Sequence, residues 1–328
     1  MSDEVLASAK GGDQDAFARL VSPYRRELRA HCYRMSGSLH DADDLLQESL
    51  LRAWRGLGTF EGRASVRTWL YRVTTNACLD ALDQRAARRL PPELSPPSGP
   101  SDPVGPPTFE RPWLEPYPSE LYSEDAGPEA RYDARESVAL AFMVALQLLP
   151  PKQRAVLILR DVLGWQASEC GELLGLSVAA VNSALQRARE TLATKSAPEA
   201  KPSPSLTEVL GRYLRAWEQA DVSSLVALLS EEATLSMPPM SEWFRGAEAI
   251  GASLAAMVLT PSARGTFRLL ETRANGLPAF MAYQREAAGG AYRPLALHVL
   301  ELSGDRITSI TAFIDPRLAE KFGLPTSL

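Results

Sequence analysis

At 328 residues and 45% hydrophobic, with 40 acidic against 35 basic side chains and a formal net charge of −5, the chain is long enough for two or three domains, each with its own core, and its overall charge argues against a nucleic-acid binder until it is divided along the chain. No run approaches the about eighteen apolar residues that cross a membrane, and "MSDEVLASAKGGDQDAF" lacks a basic segment followed by an apolar one, so no membrane partner is expected and the cytoplasm is the expected location. The three cysteines, Cys32, Cys78 and Cys170, each stand alone in a helical pattern; this points to buried thiols and away from a disulfide framework or a zinc site, and no metal or cofactor is expected.

Residues 1–89 carry 14 basic and 12 acidic side chains, 90–130 carry 1 and 8, and 131–196 carry 8 and 6. The acidity is therefore concentrated in a middle segment flanked by two mildly basic blocks. In the first block, "DADDLLQESLLRAWR" at Asp41–Arg55 sets Ala42, Leu45, Leu46, Ser49, Leu50, Ala53 and Trp54 on one helical stripe. Asp41, Asp44, Gln47 and Glu48 lie off it, as an acidic edge that serves either as a solvated face or as a docking face. The following "GLGTFEGRASVRTWLYRVTTNACLDALDQRAARR" begins as a Gly-punctuated loop and continues as a helix over Val66–Asp83. Phe60, Trp69 and Tyr71 interleave there with Arg63, Arg67 and Arg72. Aromatic rings that stack on unpaired bases, together with cations that hold phosphates, are the chemistry that open DNA requires; the alternative for Trp69, Leu70 and Val73 is a place in the core.

Residues 90–130 hold 12 of the 25 prolines, which excludes a helix or a paired strand from most of the segment and leaves an extended, semi-stiff connector. "RPWLEPYPSELY" at Arg111–Tyr122 is its one apolar island. Because Trp113, Leu114, Tyr117, Leu121 and Tyr122 are costly to leave exposed, packing on the protein's own domains is favoured over anchoring in a partner.

"GWQASECGELLGLSVAAVNSALQRARETL" then reads as a helix-turn-helix: Gln166–Leu174, a turn at Gly175–Leu176, Ser177 as N-cap, and a second helix over Val178–Leu192. Leu173, Leu176, Val181 and Leu185 pin the pair. Ala180, Asn182, Ser183, Gln186, Arg187 and Arg189 point outward, and Asn, Gln and Arg are the side chains that pair with base edges in the major groove.

A second break, "KSAPEAKPSPS" at Lys195–Ser205, precedes an amphipathic helix and four stretches of period-two alternation, "GTFRLLETRA", "PAFMAYQRE", "LALHVLELSG" and "RITSITAFID". These predict an α+β unit with a curved antiparallel sheet. Met240, Trp243, Arg245, His298 and Asp315 are the candidate functional residues of this unit. No base, nucleophile and orienting group can be recognised among them, so catalysis is not expected.

The fold class read from these elements is multidomain: two all-α domains, 1–89 and 131–196, joined by the acidic proline-rich linker 90–130, plus an α+β unit at 205–328. "DADDLLQESLLRAWRGLGTFEGRASVRTWLYRVTTNACLDAL" resembles the second domain of bacterial sigma factors, of the extracytoplasmic-function group within the sigma-70 family. "LPPKQRAVLILRDVLGW" and the helix-turn-helix resemble the family's fourth domain, with Cys170 and Asn182 as departures from its commonest pattern. Residues 205–328, through "EEATLSMPPMSEWFRGAEAI" and "ELSGDRITSITAFIDP", resemble the SnoaL-like members of the nuclear-transport-factor-2 (NTF2-like) superfamily, which implies an α+β cone closing over a pocket for a small molecule or a regulatory protein, with Met240, Trp243, Arg245, His298 and Asp315 as its candidate lining.

The resemblance implies core RNA polymerase and promoter DNA as partners. It implies polymerase contacts at Asp44, Gln47, Glu48 and Leu51, and minus-ten DNA contacts at Phe60, Arg63, Ser65, Arg72 and Asn76. Minus-35 DNA is implied at Ser177, Ala180, Asn182, Ser183, Gln186, Arg187 and Arg189, and regulation in cis by the C-terminal extension. Two rival readings stay open: a conventional helix-turn-helix regulator, and a ligand-binding or enzymatic NTF2-like protein with DNA-binding domains attached.

Overall fold

Two serines start the two longest helices of the N-terminal part. The Ser38 hydroxyl accepts the Asp41 N–H at 3.0 Å ahead of α4 (Leu39–Gly56), and the Ser65 hydroxyl accepts the Thr68 N–H at 3.0 Å ahead of α5 (Val66–Leu82). The structure, a computed structural model, describes residues 3–83, 86–119, 139–193, 206–285 and 289–328. Leu121, Tyr122, residues 131–138 and the break at 195–205 lie outside the described residues. The chain forms two compact units, Met1–Arg88 with Glu120–Ser196, and Arg89–Ser119 with Ala197–Leu328. The described connector thus belongs with the C-terminal residues.

The first unit is helical. α1 (Asp3–Lys10), α2 (Gln14–Val21) and α3 (Arg25–Ser36) lead into α4 and α5. The predicted stripe is the packed face: Ala42, Leu45, Leu46, Ser49, Leu50 and Ala53 are buried, and Trp54 is half-buried with its ring edge-on to Phe17 at 5.1 Å. α6 (Leu140–Gln147), α7 (Pro151–Leu157) with a π turn at Ile158–Val162, α8 (Ala167–Leu174) and α9 (Val178–Ala193) complete the unit. Proline opens α7, where its missing N–H costs nothing. The three cysteines are free and buried, with the Cys32 and Cys78 sulfurs 3.9 Å apart.

The second unit places α10 (Leu206–Glu218), α11 (Val222–Val226) and α12 (Ala247–Met257) with a sheet of β1 (Leu229–Ser236), β2 (Trp243–Arg245), β3 (Phe267–Ala274), β4 (Leu277–Arg285), β5 (Tyr292–Ser303) and β6 (Arg306–Phe313); α13 (Leu318–Lys321) follows. The strand order is β2-β1-β6-β5-β4-β3. The expected antiparallel sheet needs one correction: β1 and β6 run parallel. The chain between them passes through β2, α12 and three strands, which gives the long crossover that a parallel pair requires. Phe280, Ala282, Leu300, Leu302, Ile310 and Ala312 of the sheet join Tyr213 and Trp217 of α10 in one core. Among the described residues no helix is long and apolar enough to cross a membrane.

Each unit buries one histidine. His31 Nε2 lies 2.9 Å from the Thr75 hydroxyl, and His298 Nδ1 lies 3.0 Å from the Tyr213 hydroxyl, with the Trp217 ring 4.5 Å from the imidazole. Burial pushes both pKa values down to about 3. The unfolded chain takes up these protons near pH 6.5, so each neutral imidazole contributes stability that is complete above that value and is lost as pH falls toward 3. At about pH 5 the loss is about 2 kcal/mol for each. Glu301, whose carboxyl burial pushes up, acts in the opposite sense. A comparison with His298→Gln isolates the imidazole. In urea unfolding between about pH 7 and pH 5, the C-terminal transition of the parent is expected to fall more steeply than that of the variant; equal slopes contradict a neutral buried His298.

Candidate polymerase and nucleic-acid surfaces

On α4, Asp44, Gln47 and Leu51 are exposed together, and Leu51, at 50% exposure, is a large aliphatic side chain left uncovered at the centre of an acidic face. Glu48 is half-buried: it accepts Arg52 Nε at 2.7 Å, and Arg52 also reaches Asp80 of α5 at 2.6 Å. Asp41, expected on the acidic edge, turns away from it and pairs with Arg88 at 2.9 Å.

The loop between α4 and α5 turns at Gly62, whose φ of 75° is left-handed. Arg63, Ser65, Arg72 and Asn76 are exposed as expected, and Arg63 is paired with Glu61 at 2.6 Å. Two residues of the expected DNA face, Tyr71 and Arg67, are held away from it, and Phe60 is covered although it lines the same cleft as Arg63, Ser65, Arg72 and Asn76. Phe60 is buried, its ring 5.1 Å from that of Trp69, with Lys10 donating to its carbonyl at 2.5 Å. Tyr71 is fully buried. Arg67 forks onto Glu27 at 2.7 and 3.0 Å, and this bonding holds its pKa above the ordinary value. Arg67 therefore fixes α5 on α3, and the solvent-facing set is Arg63, Ser65, Arg72 and Asn76. With Phe60 and Trp69 these residues line one wall of a cleft of about 620 Å³.

The helix-turn-helix forms as read. Gly175 ends α8 in the left-handed conformation at φ 66°, and the Ser177 hydroxyl accepts the Ala180 N–H at 3.2 Å. Gly171 is a second glycine the turn requires, and its role was not read from the sequence: a Cβ there would stand 2.6 Å from the Leu176 carbonyl oxygen. Leu173, Val181 and Leu185 are buried and Leu176 is half-buried. Of the outward set, Asn182, Ser183, Gln186, Arg187 and Arg189 are exposed along α9, while Ala180 is half-buried. Arg189 is committed elsewhere in this state, forking onto Asp161 at 2.7 and 2.9 Å. Arg187 rests on the Ser183 hydroxyl at 2.7 Å, and Gln186 on Glu190 at 3.0 Å.

In the second unit the five candidate pocket residues do not converge. His298 is in the core against Tyr213. Asp315 forks onto Arg317 at 2.8 and 2.9 Å. Arg245 lies over the Trp243 ring at 5.2 Å, and Met240 is half-buried at the core's margin. Trp243 instead holds the connector: its indole N–H donates to the Ser95 carbonyl at 2.9 Å, and its own carbonyl accepts the Ser98 N–H at 2.8 Å. Thr108 donates its N–H to the Pro239 carbonyl at 2.9 Å, and Val104 packs on the sheet core.

Further along, Trp113, Leu114 and Tyr117 are buried. Tyr117 exchanges two hydrogen bonds with Asn275, its N–H to Oδ1 at 2.9 Å and its carbonyl from the Asn275 N–H at 2.8 Å; Gly276 N–H donates to the Ser119 hydroxyl at 2.9 Å. Asn275 and Gly276 form the β3–β4 turn with φ of 52° and 76°. The Asn-Gly dipeptide is a recognisable hairpin signal, but nothing local reveals that this turn also clasps the connector.

Comparisons with known proteins follow the same division. The Sigma-70 region 2 family matches residues 20–88, the Sigma-70, region 4 family residues 139–192, and the SnoaL-like domain family residues 210–310. The ECF RNA polymerase sigma factor SigG of Mycobacterium tuberculosis (strain ATCC 25618 / H37Rv) is 47% identical over 332 residues, covering 98% of this chain and 86% of the relative. The ECF RNA polymerase sigma factor SigW of Bacillus subtilis (strain 168) is 31% identical over 190 residues, 57% of this chain and 92% of the relative. The crystal structure of the Mycobacterium tuberculosis extracytoplasmic function sigma factor SigJ superposes with a TM-score of 0.61 at 23% identity, over 93% of this chain and 99% of that one, which shows a shared fold.

Proposed function

The chain belongs to the extracytoplasmic-function sigma factors of RNA polymerase, and from that premise we propose which of its surfaces does what and how its SnoaL-like unit governs them. As a sigma factor it binds core polymerase and directs promoter-specific initiation. Asp44, Gln47, Glu48 and Leu51 are the polymerase-docking face, with Leu51 as its apolar centre. Arg63, Ser65, Arg72 and Asn76 hold the opened minus-ten strand; Asn182, Ser183, Gln186 and Arg187 read the minus-35 duplex. The SnoaL-like unit regulates in cis by holding the connector. The observation that carries this is the bonding of Ser95, Ser98, Thr108, Tyr117 and Ser119 to Trp243, Pro239, Asn275 and Gly276 of the C-terminal unit, with Trp113, Leu114 and Tyr117 buried along the same stretch: a connector so engaged is not available to polymerase.

Catalysis is not part of this reading. His298 is neutral and closed in by Tyr213 and Trp217, and the only candidate carboxylate, Asp315, is committed to Arg317. Reconstitution with core polymerase tests the assignment. The full-length protein is expected to support promoter-dependent transcripts, and Leu51→Ala to weaken its affinity for core polymerase about tenfold while leaving duplex DNA binding unchanged. Absence of any promoter-dependent transcript from the parent protein overturns the functional reading, and unchanged polymerase affinity in the variant overturns the docking face.

A further inference from the structure

The cleft on α5 has a second wall. Opposite Arg63, Ser65, Arg72 and Asn76 stand Trp165 and the first helix of the helix-turn-helix, α8, with Glu169, Glu172 and Leu173. Glu172 Oε1 approaches Arg72 Nη1 at 3.7 Å, and the Trp165 ring lies edge-on to Tyr71 of α5 at 5.9 Å. Two carboxylates therefore face the cationic and amide groups proposed to hold single-stranded DNA, in the place a phosphate backbone would take. We propose that α8 is a removable acidic cover on the minus-ten face, and that single-stranded DNA competes with Glu169 and Glu172 for it. The inference rests on the assignment of that face to DNA.

The contacts that hold the cover are built to release. Away from the cleft, Gln147 Nε2 donates to the Arg34 carbonyl at 3.4 Å and Arg154 Nη1 donates to the Met35 carbonyl, joining α6 and α7 to the end of α3. Arg154 is 3% exposed, and its other partners are the Gln147 side-chain and main-chain oxygens and the Leu149 carbonyl. Among the described residues no ion pair to a carboxylate offsets its charge, and burial lowers its pKa to about 10, so it stays protonated at neutral pH. The closed arrangement keeps a cation out of water with neutral partners only, and separating the helices restores its hydration. The pair across the cleft is exposed on both sides, 52% for Arg72 and 80% for Glu172, and so is weak and screened by salt.

Titration of the full-length protein with a short fluorescein-labelled single-stranded DNA tests the cover. Glu169→Gln/Glu172→Gln keeps the shape, and Gln serves the capping box at the start of α8 as Glu169 does. The variant is expected to bind about three- to tenfold tighter than the parent at low salt, with the difference closing as salt rises. Glu248→Gln, which removes one exposed charge in the other unit, is expected to match the parent. Because DNA and cover compete, saturating DNA should also speed amide hydrogen exchange across Ala167–Leu174 in the parent, where simple addition of a ligand would slow it. Equal affinities of parent and double variant, with exchange unchanged or slowed, overturn the cover. Failure of both proteins to bind overturns the DNA assignment of the face, and the cover with it.

Discussion

Replacing Trp113 and Tyr117 by alanine is expected to free the connector and to raise promoter-dependent transcription by about tenfold or more. Both side chains are buried, at 8% and 0% exposure, and truncating a buried aromatic residue costs about 3–5 kcal/mol. A loss of about 3 kcal/mol from either site alone moves the ratio of docked to free connector by about a hundredfold. The flanking polar contacts cannot hold it unaided. The hydrogen bonds of Ser95, Ser98, Thr108, Tyr117 and Ser119 to this unit are each worth about 1 kcal/mol net, and ordering roughly thirty residues at about 1–2 kcal/mol each costs more than these bonds return. Limited proteolysis between Arg89 and Ser119 reports release, and far-UV circular dichroism reports whether the sheet survives it. A connector that becomes cleavable on an intact sheet, without any change in transcript yield, would end the proposal of regulation in cis.

What was legible in the sequence was mostly what a helix turn or a strand repeat encodes. Ser38 and Ser65 as caps, the α4 stripe and Gly175 ending α8 each depend on residues within a few positions of one another. The features that escaped depend on partners far along the chain. Arg67 looked like a phosphate ligand because Glu27, 40 residues earlier, cannot be placed beside it from spacing; Asp41 looked solvent-facing for the same reason, with Arg88 47 residues away. The parallel pairing of β1 with β6 is likewise a matter of topology and leaves the alternation of either strand unchanged. Trp243 and Arg245 do lie together, but on the rim that grips Ser95 and Ser98, so an aromatic residue read as pocket lining is in fact a clamp for the connector. The apolar island at Trp113 was legible as self-packing because exposing those rings is costly wherever they sit, and that argument needs no partner to be named.

The net charge of −5 makes duplex recognition a local matter, and the second helix-turn-helix helix is where the effect of single substitutions on DNA binding is expected to be largest. Asn182 and Arg187 are exposed on α9, and among the described residues the Arg187 guanidinium is tied to the Ser183 hydroxyl alone, which it can release at little cost. Each side chain that pairs with a base edge is worth about 1–3 kcal/mol, so Asn182→Ala and Arg187→Ala are each expected to weaken binding to a minus-35 duplex by about ten- to a hundredfold.

Salt separates two ways in which Arg187 can act. If it reads a base, the substitution relaxes preference at one position; if it holds a phosphate, binding falls equally for all sequences and the salt slope drops by about one. Arg189 provides the internal contrast. Its guanidinium is already neutralised by Asp161 at 2.7 and 2.9 Å, so Arg189→Ala is expected to cost less than Arg187→Ala, while Asp161→Asn, which frees Arg189, is expected to tighten binding to any duplex. Footprinting and anisotropy on the full-length protein measure all four. Equal effects of the two arginine substitutions would mean that DNA breaks the Asp161 pair on binding, and no effect from either would remove α9 from the groove.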